Sequence, residues 1–163
     1  MNVAMFGKHL DYMFYMDRKV WDLILKLSDE QFNAPNDYSL GSVHEQVVHI
    51  MSVQKVWYAR IHGTQNTMQT AADYPTLESI RAHWDNVEQL WRTYVDHLTD
   101  DMLMSVVVAQ TSRGEVFYER VWEIMMHVVN HSTDHRAQLL AAMHRVGGET
   151  MPQDWIFYSR SIR

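Results

Sequence analysis

Apolar residues recur along most of this chain at spacings of three and four, the period of a helix that buries one stripe. Leu10, Met13, Phe14, Asp17, Trp21, Ile24 and Leu27 keep that spacing and predict a first helix from Met1 to Leu27. Ser28-Asp29-Glu30 caps a short following turn, and Pro35-Asn36-Asp37 breaks the chain. A second helix begins near Ser42, where Ser42-Val43-His44-Glu45 matches a capping box. It continues through Val47, Ile50, Met51, Val53, Trp57 and Ile61 to a stop at Gly63. Thr64 to Pro75 is polar, lies between two breakers and reads as a loop. Thr76-Leu77-Glu78-Ser79 opens a third helix, with Ile80, Trp84, Val87, Leu90, Trp91, Tyr94 and Leu98 in phase.

The pattern changes between Met102 and Tyr118. Val106-Val107-Val108 is β-branched, Thr111-Ser112-Arg113-Gly114 is turn-like, and Val116-Phe117-Tyr118 follows, which predicts a small β-hairpin. A fourth helix is expected from Glu119 to Val146, stopped by Gly147-Gly148. Pro152 and a short aromatic tail, Asp154-Trp155-Ile156-Phe157-Tyr158, end the chain. Four long amphipathic helices without strand–helix alternation predict an all-α four-helix bundle, with the hairpin between helices three and four. No repeat, low-complexity run or linker divides the sequence, so one domain over 1–163 is expected.

Composition narrows the function classes. A chain of 163 residues can bury a substantial core, and its twelve Met and six Trp suit irregular gaps between helices. The formal net charge is −6 with no Lys/Arg cluster, which argues against a nucleic-acid partner. The absence of cysteine removes disulfides, Cys-zinc sites and thiol nucleophiles. The N-terminal MNVAMFGKHLDYMF has early charges and no signal-peptide pattern, and no long uncharged apolar run would span a bilayer. A cytoplasmic location and no membrane partner are expected.

The candidate chemistry lies in Val121–Gln138, VWEIMMHVVNHSTDHRAQ, where His127, His131 and His135 recur every four residues. On a helix such positions lie one turn above each other on one face. With His131 as reference, His127 and His135 fall about 40° to either side, alongside Ile124, Gln138 and Ala142. That stripe is expected to face the bundle, with the histidines inward. Arg136 reads first as a solvated surface residue, with a contact near the site or to a substrate anion as the alternative; Gln138, on the seam, suits packing or a contact near a site. His127 and His135 are about 12 Å apart along the axis, too far for one ion bound at about 2.0–2.1 Å. An adjacent pair can share an ion, but spacing leaves His127/His131 and His131/His135 both open. His49, in the apolar run VVHIM, is the strongest candidate for a ligand from another helix. His44 lies about 140° from it and should face elsewhere. His44 and His49 are five apart, which excludes a zincin pair, and the Glu-x-x-His pairs of a di-iron bundle are missing. No conventional nucleophile, paired carboxylate or phosphate loop stands out.

HVVNHSTDHRAQ with Gly147-Gly148 resembles the last-helix signature of the DinB-like (damage-inducible) family. VVHIMSVQKVWYARIHG resembles its second-helix signature, and Pro152 to Tyr158 is similar to its C-terminal ending. The resemblance implies a four-helix bundle, often a homodimer, holding a divalent metal through three histidines. Carried onto this sequence, the ligands would be His49, His131 and His135, with His127 a neighbour and not a ligand. Ala137 departs from the Gly frequent in the family's HRGQ sequence, a difference expected to affect packing more than ligation. Related bundles include thiol-S-transferases and isomerases that use low-molecular-weight thiols. The resemblance therefore implies a metal-dependent hydrolase or thiol transferase with a small-molecule substrate, although it assigns no catalytic residue. The alternative is a non-catalytic metal-binding, structural or stress-related bundle. Imidazole ligands suit zinc or nickel first, with iron or manganese also compatible.

Overall fold

The computed structural model describes residues 2–110 and 114–162. The protein is mostly helical. Its elements are α1 (Val3–Ile24), α2 (Asp29–Asn33), α3 (Val43–Ile61), α4 (Leu77–Asp96), α5 (Asp100–Met104), β1 (Val106–Gln110), β2 (Val116–Arg120), α6 (Val121–Arg145) and α7 (Trp155–Ser161). A single 3-10 turn, Ala71–Asp73, interrupts the loop before α4.

Local chemistry explains most boundaries. The Asn2 side chain accepts from the Met5 amide and starts α1. Ser28 with Gln31, and Ser42 with Glu45, form capping boxes at α2 and α3, satisfying amides that lack a partner within the helix. The short turn expected at Ser28 is therefore a helix, α2. At the other end of α6, the Gly148 amide donates to the Met143 carbonyl (2.8 Å) and the Gly147 amide to that of His144 (3.0 Å). This is the Schellman arrangement, and it needs Gly147 at φ +79°.

β1 and β2 pair antiparallel, with Val106 opposite Arg120, Val108 opposite Tyr118 and Gln110 opposite Val116. The first three residues of the expected turn, Thr111 to Arg113, lie outside the described residues. Glu119 and Arg120, expected in the fourth helix, belong to the strand because they pair with Val107 and Val106. α6 then begins at Val121, whose amide donates to the Ser105 carbonyl. Alternation sends Val107, Ala109 and Phe117 towards the helices and leaves Val106, Val108, Val116 and Tyr118 exposed.

α6 is the central helix: it packs against both α3 and α1, and α4 closes on α3 and α1 from the far side. Phe14, Trp21, Ile50, Met51, Trp84, Trp91, Met125 and Leu139 meet in the core. Within this apolar interior lies a polar network. Gln54 of α3 accepts from Trp84 Nε1 (3.0 Å) and donates to Asp17 (2.9 Å) and Ser132 (3.1 Å). Its own carbonyl accepts from Trp91 Nε1. Arg136 donates to Asp17, the Met13 carbonyl, Thr133 and Gln153. All four long helices are thus tied to one buried amide and one buried ion pair.

The surface assignment for Arg136 is corrected here, since its side chain is fully buried. A helical wheel assumes one wet face, whereas α6 is covered by α1 on one side and α3 on the other. The aromatic tail packs back on α1. It forms α7, and Tyr158 packs with Tyr12 and Met16 of α1 while Trp155 stacks on His9. Phe6 and Tyr158 are buried, and Phe157 is half exposed.

Candidate metal centre

Two helices bring the histidines together. α3 carries His49 on the side facing α6, and α6 presents His131 and His135 one turn apart. Ring centroids are 5.2 Å apart for His49–His131, 4.4 Å for His49–His135 and 4.2 Å for His131–His135. One nitrogen from each lies within 4.8 Å of the others, a grouping that could hold a metal ion. Among the described residues it is the only such His, Cys, Asp or Glu group.

His127 is not in that group. It is exposed, packs at a tilt against Trp57 (4.7 Å between centroids) and touches the His131 ring (5.6 Å). The inward orientation expected for the whole ladder is therefore corrected: Ile124 and Ala142 are buried, His131, His135 and Gln138 are half buried, and His127 faces solvent. The stripe runs along the rim of the α3–α6 interface, where a ligand can reach it. His44 faces away as expected, between Asn33 Oδ1 (3.1 Å) and the Tyr74 carbonyl (2.7 Å).

The donor geometry fits a divalent ion. His49 Nε2 and His131 Nε2 are 3.3 Å apart. Two imidazoles bound tetrahedrally to one zinc at about 2.0–2.1 Å would be about 3.3 Å apart. His131 Nδ1 and His135 Nδ1 are buried with no protein partner. An imidazole gives one ion a single nitrogen, so with Nε2 of His131 turned to His49 its Nδ1 is left to a partner other than that ion.

Electrostatics point the same way. Burial, then the charge of His135, pushes His49 down to about 4. Burial and the neighbouring His135, His49 and His127 push His131 down to about 3. Burial also lowers His135, against the pull of Asp134. Near neutral pH all three imidazoles are the free bases that metal binding requires. Gln138, three residues beyond His135 on α6, accepts from the Ser39 hydroxyl and donates to Asp134 (3.1 Å). Concave regions at Pro35–Asp37 with Arg145, and at Ala137–Ala141 with Met151–Gln153, lie elsewhere and contain none of the three histidines.

A match to the DinB family model covers residues 1–162. The chain belongs to the DinB family. Among solved structures, the fold of this DinB chain is similar to a DinB-like protein from Bacillus cereus ATCC 10987, with TM-score 0.65 and 17% identity over 93% of this chain and 97% of that one. It is also similar to a putative DinB family member from Exiguobacterium sibiricum 255-15, with TM-score 0.63 and 19% identity over 90% and 95% of the two chains. A DinB family member from Shewanella denitrificans gives 0.58 and 17% over 93% and 86%. A search of the curated proteins found no match.

Two groups around the centre were missed in the sequence. Asp17 sits in the apolar stripe of α1, and that misplaced acid was the available signal for a buried partner. Trp57, Arg60 and Phe117 gather beside His127, but Phe117 arrives from the hairpin, and no helical period could link it to α3.

Proposed function

We propose that this DinB-family chain is a divalent-metal protein in which His49, His131 and His135 are the ligands of a catalytic centre. We further propose metal-dependent chemistry on a small molecule, either hydrolysis or transfer of a low-molecular-weight thiol. The observation that carries this reading is the convergence of three neutral, half-buried imidazoles from α3 and α6, with no carboxylate among them. Three neutral ligands leave a bound ion its full charge and a further coordination position, the pattern of catalytic and not closed structural zinc sites. Such an ion supplies Lewis acidity, lowering the pKa of a water or thiol that touches it. The protein's own part is to hold the imidazoles neutral, orient them from two rigid helices and keep one side open at the rim. Zinc or nickel suits these ligands best, and iron or manganese is compatible with them.

A purely structural tie between α3 and α6 has less to do. Gln54 already donates to Ser132 across that interface, and the apolar core spans it. We read the whole chain as one domain built on a four-helix bundle of α1, α3, α4 and α6, acting in the cytoplasm. A homodimer is also proposed, since it would cover the apolar outer face of the hairpin, including Val108 and Tyr118.

The test is elemental analysis of untagged protein, followed by thiol-transfer and hydrolysis assays with and without chelator. Near-stoichiometric metal and chelator-sensitive turnover are expected. Metal-free protein that is equally stable with and without chelator would sink the metal reading. Metal whose removal costs stability, with no turnover of any substrate, would favour the non-catalytic alternative.

A further inference from the structure

Arg60 is a cation with no ion pair among the described residues, although it feels the charge of Glu119. Its guanidinium lies over the Trp57 ring at 4.4 Å and over Phe117 at 5.4 Å. Among the described residues, no ion pair or hydrogen bond engages it. The other arginines near the core are matched: Arg136 by Asp17, Arg92 by Glu88 and Asp11. Arg60 is also half buried, so its charge is partly desolvated. Glu119 is near enough for its charge to be felt, yet it makes no ion pair with Arg60, and its buried Oε2 has no partner. Burial and the neighbouring Glu123 push that carboxyl up, against the pull of Arg60.

Arg60 follows His49 by eleven residues, which returns it to within about 20° of the same face of α3. Contacts bridge the gap between them: Trp57 touches His127, and His127 touches His131. The cation therefore stands at the end of the rim that carries the histidines. A guanidinium laid against aromatic faces is held in place by cation–π attraction, while its in-plane N–H groups stay available to fork onto an oxyanion. Trp57 and Phe117 restrict its rotamers in advance, which lowers the entropy lost when an anion binds.

We propose that Arg60, clamped by Trp57 and Phe117, binds the carboxylate or phosphate of the molecule that reaches the histidine centre, and so selects an anionic substrate. This rests on the reading of the three histidines as a substrate-accessible metal site. Arg60 serves as an orienting anchor at one end of the substrate, beyond Trp57 and His127 from the ligands. It takes no part in bond making.

Two measurements on the full chain test it. Metal-free protein is titrated with glutarate or with inorganic phosphate, and the arginine Nε–H resonance that disappears in Arg60→Gln is followed by NMR. A saturating shift of that resonance with either anion is expected, and the responding anion distinguishes carboxylate from phosphate. Cobalt-loaded protein is then titrated with glutathione and with its diethyl ester, following the sulfur-to-cobalt charge-transfer band. Wild type should favour the free carboxylates at least tenfold. That preference should fall close to one in Arg60→Gln and persist in part in Arg60→Lys, at unchanged cobalt content. An Arg60 resonance indifferent to both anions, or an equal preference in wild type and Arg60→Gln, overturns the proposal. Protein that takes up no cobalt yet shows the Arg60 shift overturns the metal reading and leaves the oxyanion site standing.

Discussion

Arg136 Nη1 donates to Asp17 Oδ1 at 2.7 Å, joining α6 to α1 with both side chains withdrawn from water. Burial pushes the Asp17 carboxyl up, and Arg136 and Gln54 pull it back down. The pair neighbours His135 in sequence but lies on the other side of α6. Through Gln54, which bonds Asp17 and Ser132, the same network fixes α3 against α6. The relative placement of His49 and His131 depends on that register.

Removing one partner strands the other charge in the interior. Asp17→Asn should cost about 3–5 kcal/mol, because an uncompensated buried guanidinium is expensive. At about 2–4 °C per kcal/mol for a chain of this size, the melting temperature should drop by roughly 10 °C. Thermal melts followed by circular dichroism check this. A drop of only a degree or two would mean that water solvates Arg136.

The histidines should separate into ligands and a neighbour. His49→Ala, His131→Ala and His135→Ala should each lose most bound metal, while His127→Ala keeps it. Metal content by mass spectrometry, with folding checked by circular dichroism, decides between them. Loss of metal in His127→Ala with retention in His135→Ala would move the site one turn along α6.

Gly147 closes α6 at φ +79°, where a Cβ crowds the following carbonyl. Gly147→Ala should destabilise the protein by about 1–2 kcal/mol with no effect on metal content. Urea denaturation gives the number, and an unchanged midpoint would mean that the Schellman end contributes little.

His83 on α4 bears on the pH dependence. Burial, then the charge of Lys55, holds its imidazole below the ordinary value of 6.5, and its Nε2 is buried without a partner. The folded state therefore resists a proton that the unfolded chain accepts. The contribution is fully present above about pH 6.5 and is lost as pH falls below it. Chelator-treated wild type should lose melting temperature more steeply between pH 7 and pH 5 than His83→Gln. Parallel curves would remove His83 from the account.

Much of this protein was determined locally. Capping residues Ser42 and Thr76, the stops at Gly63 and Gly147, and the apolar stripes between them define the long helices, because those signals act within one or two turns. The β-branched run at Val106 and the aromatic run at Val116 were equally legible as a hairpin, since strand pairing across a short turn is also a local matter. Spacing alone showed that His127, His131 and His135 cannot all hold one ion. It could not choose between the two pairs, nor prove that His49 meets them.

Tertiary packing decided the rest. α6 is buried on two sides, so Arg136, on the supposedly wet face, became the inner half of an ion pair, while His127, on the supposed seam, faces solvent. The approach of α3, set by Gln54 and its partners, brings His49 within 3.3 Å of His131. The hairpin folding back on α3 gave Arg60 its second ring. A helical period shows which residues share a face, but what covers that face comes from distant parts of the chain, and here that covering made the site.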